Sequence, residues 1–225
     1  MPFVRRLRFT VVACAGLLAG TATGAEPAQY SLDPVHTRVI FAIDHAGFSK
    51  AVGTVSGSTG QLRFDPEDWT GATLQASVPM ARIDLGDAGW NKATLAGNLL
   101  NVEDYPTAEF ISKRVEPIAP NLASVYGTLT LHGVSREVVL NVTLNAAKRH
   151  PLPPFRRTVG FSATAMLSRK EFGIDAWPSV IGDAVELRIE AEATRSRVDG
   201  DPDTPDSPRE TSSAAPAMTT TEPKP

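Results

Sequence analysis

Three histidines, His36, His45 and His132, offer the most versatile chemistry in the chain, since imidazole binds metals and moves protons near neutral pH. Their spacing argues against a metal centre. They stand singly, with no His-x-His or His-x3-His pair, and ligand clusters need such spacing. His36 and His132 fall at expected strand ends or turns, where an imidazole satisfies a backbone group. His45 shares the parity of Val39, Phe41 and Ile43, which aims it inward and makes it the candidate base of an enzymatic alternative. His150 lies in a Pro-rich loop and takes no role. There is no Gly-x-Ser-x-Gly elbow, and the acidic runs Asp65-Pro66-Glu67-Asp68 and Glu103-Asp104 read as solvated turns. Cys14 is the only cysteine and sits in the leader, so the remaining chain has no thiol nucleophile or thiolate metal site. Arg169 and Lys170 follow an expected strand and precede Phe172-Gly173. A cation there, at a barrel mouth, would meet a diphosphate or other anionic headgroup; a plain surface charge is the alternative. The expectation is a protein with no catalytic residues, no metal and no cofactor.

The elements that position these residues are strands. Val125, Leu129 and Leu131 share one parity across Gly127, and Val138, Leu140, Val142 and Leu144 share another. Alternation of this kind puts one face of a strand inside. The connection His132-Gly133-Val134-Ser135-Arg136 suits a hairpin. The same pattern recurs at Leu74, Ala76, Val78 and Met80, at Val159, Phe161, Ala163 and Ala165, and at Val185, Leu187, Ile189, Ala191 and Ala193. Roughly eight to ten such segments, with no βαβ alternation, predict an all-β antiparallel sandwich or barrel. A barrel of about eight strands either fills with side chains or holds one small ligand. The small inward residues favour a hollow one, and alternation of small with large residues leaves the filled one open. Trp90 to Leu100 breaks the strand pattern, with Asp87 as N-cap, and predicts a short helix at one barrel end. Leu99 and Leu100 would close the mouth or pack on its rim.

Several blocks stand in order along the chain. They are Leu32-Asp33-Pro34-Val35-His36-Thr37-Arg38, then Asp44-His45-Ala46-Gly47-Phe48, then Val102-Glu103-Asp104-Tyr105-Pro106-Thr107-Ala108-Glu109-Phe110. Gly127-Thr128-Leu129-Thr130-Leu131-His132-Gly133-Val134 and Ser168-Arg169-Lys170-Glu171-Phe172-Gly173 follow. Together they resemble the YceI-like family of bacterial lipid-binding proteins, over roughly Tyr30 to Ala193. The resemblance implies a single lipocalin-like antiparallel β-barrel that holds a polyisoprenoid or other long apolar chain, with no chemistry. Pockets for such ligands are lined by apolar and aromatic side chains with a few polar groups. The expected ligand-binding set is therefore Phe41, Ile43, His45 and Phe48 near the start, then Leu74, Ala76, Val78, Leu99 and Phe110. Leu129, Leu140, Phe161, Ala163, Arg169, Phe172 and Trp177 complete it. Many members carry charged residues where this chain has Trp90-Asn91-Lys92, which removes any headgroup contact inferred there.

The flanks read differently. Arg5, Arg6 and Arg8, the apolar run Phe9 to Ala19 and the small residues near Ala22 to Ala25 make residues 1–25 an exported protein's signal peptide, with the periplasm as the expected destination. That run is too short for a bilayer span, so no stable membrane insertion is expected. Residues 26–195 form the expected barrel domain, and the Pro/Ser/Thr-rich residues 196–225 read as a disordered tail. A net charge of −3, with no Lys/Arg run in the expected mature domain, points away from nucleic acid. The expected partner is a long-chain lipid or isoprenoid, with homodimerisation left open.

Overall fold

The computed structural model describes residues 26–196, so the expected signal peptide and the tail beyond Ser196 lie outside the described residues. The strands are β1 (Ala28–Leu32), β2 (Arg38–His45), β3 (Ser49–Ser56), β4 (Thr59–Asp65), β5 (Asp68–Pro79) and β6 (Ile83–Asp84). After helix α1 (Ala88–Leu95) come β7 (Thr107–Ala119), β8 (Leu122–Leu131), β9 (Val134–Arg149), β10 (Arg157–Ser168) and β11 (Ile181–Arg195).

These strands build eight staves of one closed antiparallel barrel. β1 and β2 are two halves of one stave, since both run antiparallel to β11, with Tyr30 opposite Arg195 and His45 opposite Ile181. β3 and β4 form the next, pairing His45 with Ser49 and Ala28 with Phe64. β5 and β6 form the third, with Ser77 opposite Thr59 and Asp84 opposite Thr54. Each remaining strand pairs with its sequence neighbour, and the β1–β11 pairing closes the ring. Closure leaves few backbone groups unpaired at an edge, the usual answer to edge aggregation.

The breaks have local causes. Between β1 and β2, Pro34 has no amide to donate. The Asp33 carboxylate accepts from the Val35 and His36 amides at 2.8 and 3.2 Å, an Asx turn that bends the chain. Between β3 and β4, Gly57 takes φ +78°, which L side chains rarely adopt. Between β5 and β6, Met80–Arg82 form one 3-10 turn.

Two expectations need correction. The β8–β9 connection is tighter than five residues: Leu131 pairs with Val134, leaving only His132 and Gly133 in the turn, at φ 53° and 73°. Two positive-φ residues match the right-handed twist of the strands, so Ser135 and Arg136 stay in the ladder. The helix covers Ala88–Leu95, not the whole stretch to Leu100. Asp87 caps it, accepting from the Trp90 amide at 2.9 Å. Ala96 leaves helical geometry just before Gly97, and Leu99 folds back to donate to the Ala96 carbonyl.

Gly127 is required by packing. The Phe110 ring lies across it, so a Cβ there would overlap the ring and sit 2.6 Å from the Ile111 carbonyl oxygen. The ring can turn away, but the backbone oxygen cannot. Gly127→Val is expected to cost about 2–3 kcal/mol in denaturant unfolding, at the upper end of overpacking. Gly160→Ala, with nothing within 4 Å of the new carbon, is expected to change stability far less.

Candidate functional site

The barrel encloses an apolar cavity of about 500 Å³, within the usual range for small-molecule sites. One end is closed by an aromatic floor. Phe64, Trp69 and Phe161 meet edge to face, with centroids 5.1, 5.3 and 6.2 Å apart. Tyr30, Leu62, Ala123, Val159 and Ala193 pack with Phe64 and Trp69 in one buried cluster, so strands from around the ring meet there. The other end carries α1, the β2–β3 turn and the segment from Arg169 to Val180. Trp90 and Trp177 line the cavity there and are 44% and 50% exposed, so they mark where it meets solvent.

The wall is made by inward parity. Phe41, Ile43, Val55, Leu74, Val78, Leu129, Leu140, Leu187 and Ile189 line it, and Ala76, Ala163 and Ala191 leave the room. Small residues on facing staves are thus not compensated by large ones. The barrel is hollow, and the filled alternative is set aside by that volume.

The sequence profile of the YceI-like domain matches residues 30–193. The chain belongs to the YceI-like family. A UPF0312 protein of Pseudomonas savastanoi pv. phaseolicola is 30% identical over 189 residues, covering 81% of this chain and 97% of that protein. Among solved structures, BcnA of Burkholderia cenocepacia superposes with a TM-score of 0.65 at 23% identity, covering 72% of this chain and 99% of BcnA. A polyisoprenoid binding domain from Saccharophagus degradans, implicated in plant cell wall breakdown, superposes at 0.57 with 15% identity, covering 74% and 98%. At these identities the two structures speak for the fold.

In this YceI-like barrel the expected ligand-binding residues gather on one surface, with one exception. Phe41, Ile43, His45, Leu74, Ala76, Val78, Leu99 and Phe110 line the cavity, as do Leu129, Leu140, Phe161, Ala163, Arg169, Phe172 and Trp177. Phe48 does not. It sits in the β2–β3 turn after Ala46 and Gly47 at φ 54° and 73°, and is 92% exposed. Strand parity does not carry through such a turn. Leu99 is buried beside Phe110 and Phe172.

Arg169 also needs correction. It is 4% exposed, neither a surface charge nor a free headgroup clamp. Nε donates to Gly182 O at 2.8 Å, Nη1 to Ile174 O at 2.7 Å and Nη2 to Ile181 O at 2.8 Å. The guanidinium pins the segment between β10 and β11. Lys170 is exposed and off the cavity wall. Its amide donates to Asp183, the leading reason that carboxyl lies below the ordinary range; the Ser168 hydroxyl adds to this against burial.

The histidines sit apart. His36 bonds Asp33 at 2.9 Å, which raises the imidazole above its ordinary value. Burial pushes the Asp33 carboxyl up, but the bonds from His36 and from the Val35 and His36 amides outweigh it and hold it low. His132 Nδ1 lies 3.1 Å from Phe172 O, and its ring packs on Tyr105 at 4.7 Å. His45 packs on Trp90 with ring centroids 5.4 Å apart and the planes tilted by 42°. Among the described residues no cluster of three His, Cys, Asp or Glu side chains could hold a metal ion.

Residues that sequence reasoning missed include Phe64 and Trp69. Phe64 continues the inward parity of Leu62, a signal that was available. Thr37 and Ser58 gave no signal, since both are polar and lie at stave breaks.

Proposed function

We propose that the protein binds and carries a long apolar lipid, polyisoprenoid, quinone-like or fatty-acyl, in the periplasm, and performs no chemistry on it. The observation that carries this reading is the apolar cavity running from the aromatic floor to the exposed Trp90 and Trp177. Family membership and the polyisoprenoid binding domain from Saccharophagus degradans support it. The mechanism is burial. Ten methylenes taken from water contribute on the order of 8 kcal/mol, at ~0.8 each, before ordering costs. A base in the cavity would need a second polar group at the reacting atom. At His45's end of the cavity Asp44 accepts from the Gly47 amide and Arg169 donates to three carbonyls, while His45 has Trp90 against its ring.

Titration with a C20 polyprenol, followed by tryptophan fluorescence, tests the proposal, because Trp90 and Trp177 flank the mouth. Saturable one-to-one quenching is the expected result. Phe41→Asp, which puts a charge into the wall, is expected to abolish it while the circular dichroism of the barrel persists. A folded Phe41→Asp variant that quenches like the parent would remove Phe41 from the site, and no quenching of the parent protein would remove the proposal.

A further inference from the structure

Of the five hydroxyl side chains on the cavity lining, Thr37, Ser58, Thr73, Thr94 and Ser112, only the first two are buried. Thr37 and Ser58 line the cavity and are each 2% exposed. They lie where two neighbouring staves break: Arg38 pairs with Ser56 beside them, and the Gly57 amide donates to the Pro34 carbonyl at 3.3 Å. Thr37 Oγ1 donates a long bond, 3.4 Å, to Glu192 O. Ser58 Oγ has no hydrogen-bond partner among the described residues, a state it shares with Trp69 Nε1 in the aromatic floor. Buried hydroxyls in folded proteins nearly always have a partner. Ser58 continues inward the parity of Leu62 and Phe64, both buried.

The charge around the cavity restricts what the partner is. Its ionisable lining residues are Asp44, His45 and Arg169. Asp44 and His45 end β2, Arg169 follows β10, and all three belong to the helix end. The Arg169 nitrogens face backbone carbonyls. An anion or cation brought to Ser58 would be buried without a counter-charge, far costlier than a neutral polar group.

We propose that Ser58, with Thr37 beside it, is a polar contact of the cavity, and that the lipid it selects carries a neutral oxygen, a hydroxyl or ketone, part-way along its buried chain. This rests on the lipid-binding reading and narrows it from any apolar chain to an oxygenated one. The Ser58 hydroxyl donates to that oxygen. Thr37 Oγ1 has lone pairs left to accept the proton of an alcohol.

The probes are octadecanones with the carbonyl at successive positions, with n-octadecane as the plain-chain reference, titrated into the purified protein and into Ser58→Ala. The expected result is a preference for one carbonyl position in the parent protein. Ser58→Ala should weaken that ketone about tenfold, the size of one hydrogen bond, and leave n-octadecane unchanged. The variant should melt no lower than the parent, because it removes an unpaired hydroxyl. Equal binding of each ketone by both proteins, with n-octadecane also bound, would overturn the Ser58 contact alone. Failure of n-octadecane and every ketone to bind would overturn the lipid-binding reading itself, and this inference with it.

Discussion

Ala163→Trp is expected to weaken polyprenol binding about a hundredfold without unfolding the barrel. Ala163 lies mid-strand in β10, between Val142 of β9 and Ile189 of β11, and is 7% exposed on the cavity wall. An indole there projects into the space the chain would fill. Displacing three or four methylenes forfeits about 2.4–3.2 kcal/mol at ~0.8 each, which is roughly a hundredfold in affinity. The same substitution separates hollow from filled. A packed interior would answer an added indole with about 1–3 kcal/mol of overpacking, or more. A hollow one takes it with little change in melting temperature. Thermal melting beside polyprenol titration therefore reads both: lost binding with an unchanged melt is expected, and a lowered melt would contradict the cavity.

Arg169→Met is expected to destabilise the protein by about 3–5 kcal/mol, the range for removing one partner from a buried charged network. For a domain of this size that is a drop of roughly 6–20 °C in melting temperature. The carbonyls of Gly182, Ile174 and Ile181 would each lose a charge-assisted donor. Arg169→Lys is expected to recover little, since an ammonium cannot serve three carbonyls spread around a planar fork. A headgroup clamp would behave in the opposite way. If Arg169→Met melts like the parent and loses only anionic ligands, the pinning role is wrong.

The strands were legible because their chemistry is repetitive. Val138, Leu140 and Val142 alternate with Asn141 and Thr143, and only a one-sided sheet explains that. Asp87 was legible as a cap because it needs only the next three residues. Legibility failed where a side chain's direction depends on a distant part of the chain. Arg169 looked like a headgroup contact or a surface cation, because nothing local shows that the carbonyls of Ile181 and Gly182 return to meet it. Phe48 looked like wall, because a hairpin turn resets the parity of the strand before it. Ser58 was invisible for a related reason. Its burial follows from the breaks between β1 and β2 and between β3 and β4, which give two neighbouring staves two strands each. The cavity was an expectation because facing alanines come from distant segments, Ala76 on β5 and Ala163 on β10, and only the closed ring places both on one wall.

The central claim is that this barrel is hollow and holds a long apolar chain. Its most direct test is mass spectrometry of protein expressed into a bacterial periplasm, first native and then denatured. The account predicts a native mass exceeding that of the polypeptide by one lipid, released on unfolding as a single long-chain species, and absent from Ala163→Trp. A bare polypeptide mass that stays bare after incubation with polyprenols, fatty alcohols and long-chain ketones would contradict it.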